Sequence, residues 1–280
     1  MTYPFRLGAT SYVVPADILT NVRYLAGKVQ DVELVLFEVD DGPNNLPLHE
    51  EIEEMRRLAA RHDMTYTVHL PLDLRLADDG FPRHASLDKA RRVIDCTLAL
   101  DPWAYVLHLD GKTVLNRSDA ESLLRWRDQA VLALELVGKW AGGPQRLAVE
   151  NLEGYPPDFY DPVLERIAVS RTVDVGHLWL DGYDPVAYLK NALPRTRVIH
   201  LHGIEDRDHR SVAKAPREKL KAVLDELVSA DYRGVLTLEV FSETDFLTSC
   251  AAVKAAMHGD MPSSDRGIAA AGADGRRHRS

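Results

Sequence analysis

The feature that most constrains this chain is an alternation. Eight short apolar runs, at residues 7–10, 32–37, 65–70, 105–109, 147–149, 172–175, 198–201 and 235–240, are separated by longer stretches of helical periodicity. Short apolar runs that lack strict polar alternation read as parallel strands buried on both faces. A βα alternation repeated eight times over about 250 residues suits a (β/α)8 TIM barrel. An open doubly wound sheet is the competitor, and it usually places a glycine-rich phosphate loop after its first strand. Here Ser11-Tyr12-Val13-Val14-Pro15 follows instead.

The intervening stretches carry one-sided apolar faces. Ile18, Val22, Leu25 and Val29 form one, and Leu48, Ile52, Met55 and Leu58 another, with Glu53 and Arg57 paired at i,i+4. Leu87, Ala90, Ile94 and Leu98 form a third. Ser118 with Glu121 reads as a capping box ahead of Leu123, Ala130, Leu134 and Val137. Shorter helices are expected at 161–168 and 184–191. Pro216 opens a helix through Leu220, Val223, Leu224 and Leu227, and Ser242 caps a last one through Phe246, Cys250, Val253 and Met257. The pattern stops near Gly259. Residues 1–258 therefore read as a single barrel domain and 259–280, rich in Gly, Ala, Ser and Arg, as a disordered tail.

Composition excludes several classes. With 45% hydrophobic residues the chain can build a large core, and its two cysteines, Cys96 and Cys250, make neither a disulfide scaffold nor a zinc-finger framework. No apolar run approaches the roughly 18 residues of a membrane span, and the first residues lack the layout of a secretory signal, so a cytoplasmic setting is expected. The formal charge of −9 argues against nucleic acid bound through a basic face.

The chemistry lies at the strand ends. Six successive strands end in, or just after, a group that can hold a metal: His69, His108, Glu150, Asp174, His200 and Glu239. His177 follows Asp174 by three residues, and the loop from His200 to His209 adds His202, Glu205, Asp206, Asp208 and His209. Each alone reads as a hydrogen-bonded rim residue or half of an ion pair. Together they differ, because a barrel brings the C-terminal ends of its strands to one mouth. Burying that many acids without compensation is costly, and divalent cations compensate them. Imidazoles and carboxylates in this mix suit Zn, Mn or Fe.

This ordered set resembles the endonuclease-IV-like branch of the xylose-isomerase-like barrels over roughly residues 5–245. The resemblance implies two or three divalent metal ions per chain. His69, His108 and Glu150 would hold the first. Glu150 would bridge to a second held by Asp174, His200 and Glu239. His177 and His209 would hold the third with one aspartate. The family spacing there is Asp-x-His-x-Ser-Leu. His209-Arg210-Ser211-Val212 meets its second half, while Arg207 stands where the aspartate belongs, so Asp208 is assigned instead. Glu150 and Glu239 are the acids expected to act in catalysis.

The local stretches Val35-Leu36-Phe37-Glu38, Tyr66-Thr67-Val68-His69-Leu70-Pro71-Leu72-Asp73 and Tyr105-Val106-Leu107-His108-Leu109-Asp110-Gly111 are similar to those of cobamide-remodelling phosphodiesterases. That similarity implies metal-assisted hydrolysis of a phosphodiester in a B12-type corrinoid. A broad substrate would need an open mouth, for which the loops 74–83, 111–117 and 154–159 are candidates. Trp103, Tyr155, Trp179 and Tyr183 read as packing aromatics, and Glu38 as half of an ion pair. Asp73 and Asp110 read equally as partners that orient His69 and His108 or as turn caps. The rival readings are a single-metal sugar isomerase or epimerase, an abasic-site endonuclease, and a metal-storing or corrinoid-carrying protein.

Overall fold

The structure is a computed structural model describing residues 3–37, 44–115 and 119–258. Eight parallel strands close into a barrel in sequence order, with β8 paired back onto β1. The strands are β1 (Arg6–Thr10), β2 (Asp31–Val35), β3 (Thr65–His69), β4 (Tyr105–Leu107), β5 (Leu147–Glu150), β6 (Ser170–Asp174), β7 (Thr196–Leu201) and β8 (Val235–Leu238). All eight fall on the apolar runs of the sequence, and the barrel expected from them is the fold observed.

The helices form the outer shell: α1 (Ile18–Leu25), α2 (His49–His62), α3 (Ala85–Thr97), α4 (Lys112–Leu115), α5 (Ala120–Trp140), α6 (Asp161–Leu164), α7 (Val175–Leu180), α8 (Pro185–Ala192), α9 (Arg217–Ser229) and α10 (Glu243–His258). Each main helix turns its apolar stripe inward. In α2, for example, Ile52 and Met55 are buried while the charged face stays in water. Burying such a side chain is worth roughly 1.5–3 kcal/mol. Helix α5 begins one residue after Asp119, whose carboxylate accepts from the backbone N–H groups of Glu121 and Ser122. The capping residue is thus Asp119, and the expected cap Ser118 lies outside the described residues, as do Glu38 and the tail 259–280. Ser242 caps α10 as expected, its Oγ accepting from the Asp245 N–H at 3.1 Å. Helix α6 is shorter than the reading of 161–168.

Strand alternation sends one set of side chains into the barrel and the other toward the helices. Ala104, Val106, Ala148 and Val198 form a small apolar cluster with Trp103 against it. Thr10, Asp31, Glu33, Thr67, Thr172 and Thr237 are all buried and polar. Trp103 precedes β4 and donates to the Arg197 carbonyl at 3.0 Å, so it closes the end of the barrel opposite the βα loops. No helix among the described residues is long and apolar enough to cross a membrane.

Candidate metal centre

The expected ligands converge at the C-terminal ends of the strands. Among the described residues, three groups place their ligand atoms within 4.8 Å of one another. They are His69, His108 and Glu150; Glu150, Asp174, His200 and Glu239; and His177, His202 and His209.

Glu150 ends β5 and joins the first two groups. Its Oε2 lies 3.6 Å from His69 Nε2 and 3.2 Å from His108 Nε2. Its Oε1 lies 3.1 Å from His200 Nδ1. Each oxygen thus faces a different group. Glu239 Oε2 stands 3.2 Å from His200 Nδ1 and 3.3 Å from His209 Nε2, so it links the second group to the third.

Local chain geometry explains the placement of Asp174 and His177. Asp174 ends β6 and is also the N-cap of α7, its Oδ1 accepting from the His177 N–H at 2.6 Å. An N-cap carboxylate bonds the backbone two or three residues on. The cap therefore fixes His177 in the first turn of a short helix, where the sequence suggests a loop. Asn151, the residue after Glu150, ties β5 to β6 at this point. Its side chain donates to the Asp174 carbonyl at 3.0 Å and accepts from the Asp174 N–H at 2.9 Å.

The third group differs from the assignment made on sequence. His202, which no expected ligand set includes, takes the place given to Asp208. The Asp208 carboxylate lies 3.1 Å from His209 Nδ1, whereas His209 Nε2 is the atom turned toward Glu239. The reason is backbone conformation. His209 sits in the left-handed region at φ 53°, costly for a residue with a Cβ, and its N–H donates to His202 Nδ1 at 3.1 Å. His202 Nε2 lies 3.3 Å from Asp174 Oδ1. The ring is fully buried in a space that Gly176 leaves free, since a Cβ on Gly176 would fall 2.1 Å from His202 Cε1. His202 has a readable signal, because residues two apart along an extended chain share a face and His200 lies near the end of β7, with Leu201 its last residue.

The two aspartates that follow His69 and His108 separate into different roles. Asp73 Oδ1 lies 3.2 Å from His108 Nδ1, and its other oxygen accepts from the Lys112 ammonium at 3.1 Å. Asp110 caps the turn at Lys112 and meets Arg75. Tyr155, Phe159 and Tyr160 pack against one another, and Trp126 packs on Phe159 and Tyr160. Tyr155 thus belongs to an aromatic cluster, in line with its reading as a packing residue.

Electrostatics test whether these residues fit cations. Burial alone would raise the Glu150 carboxyl, but His200, His108 and His69 hold it well below the usual range. Glu239 is likewise held low against burial, by His200 and His209. Burial opposes charge on His108, yet its hydrogen bonds to Asp73 and Glu150 push it up to about 10. His209 is pushed up to about 9 against burial by Glu239. The acids thus demand positive charge, which protonated imidazoles supply in this state. Asp174 Oδ2, Glu239 Oε2 and His202 Nε2 are buried without a well-formed hydrogen bond. Unsatisfied polar atoms converging on a charge-hungry space fit divalent cations held by mixed N and O donors.

Comparisons with known proteins agree with this architecture. A model of the xylose isomerase-like TIM barrel family matches residues 28–259. A search of curated proteins finds no match. Among solved structures, a D-tagatose 3-epimerase-like protein is 19% identical with a TM-score of 0.70, covering 90% of this chain and 97% of its own. Endonuclease IV from Thermus thermophilus is 17% identical with a TM-score of 0.67, covering 91% and 100%. The 3-keto-D-glucoside 4-epimerase from E. coli is 14% identical with a TM-score of 0.63, covering 90% and 99%. At these identities the structures speak for the fold, and the family match extends over most of the barrel. On that match the chain belongs to the xylose isomerase-like TIM barrel family.

Proposed function

We propose that the chain is a metal-dependent phosphodiester hydrolase with more than one cation in its centre. The observation that carries this reading is the triple set of ligand groups, two of which share Glu150. One-cation chemistry needs only Glu150, Asp174, His200 and Glu239. His69, His108, His177, His202 and His209 are five imidazoles beyond that need, drawn from four strand ends. Divalent ions held there would screen the charge of a phosphate and polarise its oxygens.

The protein's own residues prepare the site. Glu150 turns one oxygen to each of two groups. Asp73 holds the His108 ring so that Nε2 faces Glu150. Asn151 locks the ends of β5 and β6 in register, and Asp174 commits its Oδ1 to a cap and leaves Oδ2 facing inward. Glu239 sits between His200 and His209 and touches both.

A second reading has its own support. The group of Glu150, Asp174, His200 and Glu239 is a complete four-ligand set for one cation, with carboxylates placed to move a proton beside a carbonyl. Six solved structures that resemble this fold, at 12–19% identity, are sugar epimerases or an epimerase-like protein. The expected cobamide substrate has no counterpart among the comparisons and enters only as one arm of the assay. The likeness to endonuclease IV brings in abasic DNA, against which the −9 charge weighs.

One experiment separates these readings. Purified protein is reloaded with Zn, Mn or Fe, its metal content is measured, and it is offered bis(p-nitrophenyl) phosphate, an adenosylated cobamide, abasic duplex DNA and a ketohexose. Phosphodiester cleavage at two or more ions per chain supports the hydrolase. Ketose epimerisation at one ion per chain replaces it with the epimerase reading.

A further inference from the structure

Strand β2 breaks its own pattern. Its residues Asp31-Val32-Glu33-Leu34-Val35 put two acids at alternate positions, and alternate strand residues share a face. Val32 and Leu34 belong to the main apolar core, and Asp31 and Glu33 are fully buried with them. The register sets Thr10 on one side of Glu33 and Thr67 on the other. An ionised carboxylate in such surroundings is tolerated only when paired.

Glu33 has one such partner. His200 Nε2 lies 3.0 Å from Glu33 Oε2, and both side chains are fully buried. The other ring nitrogen, Nδ1, faces Glu150 Oε1 at 3.1 Å, Glu239 Oε2 at 3.2 Å and Asp174 Oδ2 at 3.9 Å. The ring therefore stands between one acid on the strand side and three candidate ligand acids at the mouth. A neutral imidazole carries one N–H, and whichever nitrogen holds the proton is lost as a ligand.

We propose that Glu33 is the positioning residue of this group: it accepts the Nε2 proton of His200 and so commits Nδ1 to the cation. The proposal rests on the metal-centre reading above, and it holds whichever substrate the centre serves. A carboxylate behind a ligating histidine fixes its tautomer and orientation and strengthens it as a donor. Asp31, two residues earlier, is engaged by Thr65 instead. Burial, opposed by the hydroxyl of Thr65 and reinforced by the charge of Glu33, pushes it up to about 7. Its Oδ2 accepts from Thr65 Oγ1 at 2.6 Å. Glu33 is thus the acid of β2 whose carboxylate meets the imidazole. The same acid read as a structural ion pair would support the barrel without influencing how the cation is held.

Three full-length variants divide these roles. Glu33→Gln keeps the volume and removes the charge, Glu33→Met removes the acceptor as well, and Glu33→Asp keeps the charge on a shorter stem. Zn²⁺ and Mn²⁺ are titrated against a competing chelator. Ring ¹⁵N shifts of His200 are read in the Zn²⁺-loaded protein, where the ring is neutral, and thermal unfolding of metal-free protein reports the fold. The expected result is a loss of about 10- to 100-fold in affinity for one ion per chain in Glu33→Gln and Glu33→Met, with the remaining ions still held. Glu33→Asp should recover part of the loss. The His200 proton should redistribute from Nε2 toward Nδ1, while metal-free unfolding temperatures stay near that of the parent. Unchanged affinity and an unchanged tautomer in Glu33→Gln would overturn the role of Glu33 while leaving the metal centre standing. So would a fall in unfolding temperature with affinity intact. A parent protein that takes up no divalent ion would remove the metal centre and this role with it.

Discussion

The Asp73 carboxylate stands 3.2 Å from His108 Nδ1 and leaves His108 Nε2 turned toward Glu150. The contact fixes the ring of one candidate ligand from behind, and Lys112 braces the aspartate from the solvent side. Asp73→Asn should weaken the ion held by His69, His108 and Glu150 by about 10- to 100-fold. Lys112→Ala should cost no more than about 1 kcal/mol of stability, because its ammonium is largely exposed and surface pairs are screened. Chelator competition on both variants checks the contrast. Equal affinities for Asp73→Asn and its parent would show that the pair does not support the ligand.

The histidines make stability depend on pH in opposite ways with and without metal. In metal-free protein His108 and His209 are raised to about 10 and about 9 from the ordinary 6.5. A raised folded value means that their contribution is complete below about pH 6.5 and fades as the pH climbs through 9 and 10. Urea midpoints of metal-free protein should therefore fall between pH 7 and pH 10. Metal binding needs neutral imidazoles and releases protons, so ion affinity should rise over the same interval. A metal-free midpoint that climbs with pH would contradict the ion pairs seen at the mouth.

Gly176→Ala probes the third group selectively. The added methyl would fall 2.1 Å from His202 Cε1, so the fully buried ring must move or the helix α7 must shift. Overpacking of this kind costs about 1–3 kcal/mol. The variant should lose the ion of His177, His202 and His209 and keep those bound through Glu150. Metal stoichiometry together with thermal unfolding measures both parts. Full occupancy in Gly176→Ala would show that His202 is not a ligand.

Glu150→Gln should empty two groups at once, since one residue serves both. Losing several kcal/mol of charge stabilisation corresponds to a fall in turnover of ~10³ or more. Far-ultraviolet circular dichroism should remain that of the parent barrel. Retained turnover would remove Glu150 from the shared position.

The barrel is readable in the sequence because buried parallel strands require uninterrupted apolar runs, and this chain has eight of them at helix-length intervals. The strand-end ligands are readable for a related reason: His69, His108, Glu150 and His200 each interrupt such a run where it ends. Glu33 and Asp31 escape notice because they lie within or beside a run that reads as apolar, and their period of two is easily passed over. His202 stands in a ligand-rich loop yet falls outside the expected sets, since the resemblance calls for an aspartate. Sequence adjacency favours Asp208, and the left-handed backbone at His209 overrides it. Asn151 carries no pattern of its own, and its bridge to Asp174 emerges only once β5 and β6 are paired.

The placement of donors along the chain has a consequence for biogenesis. His69 and His108 leave the ribosome long before Glu239, and β8 must reach β1 to complete the ring. The nascent polypeptide can thus offer only partial sets of the candidate ligands, and the group that includes Glu239 is complete only once the last strand closes the seam. A protease nick that frees β8 would withdraw Glu239 from its candidate ligand group even where most of the helical shell survives.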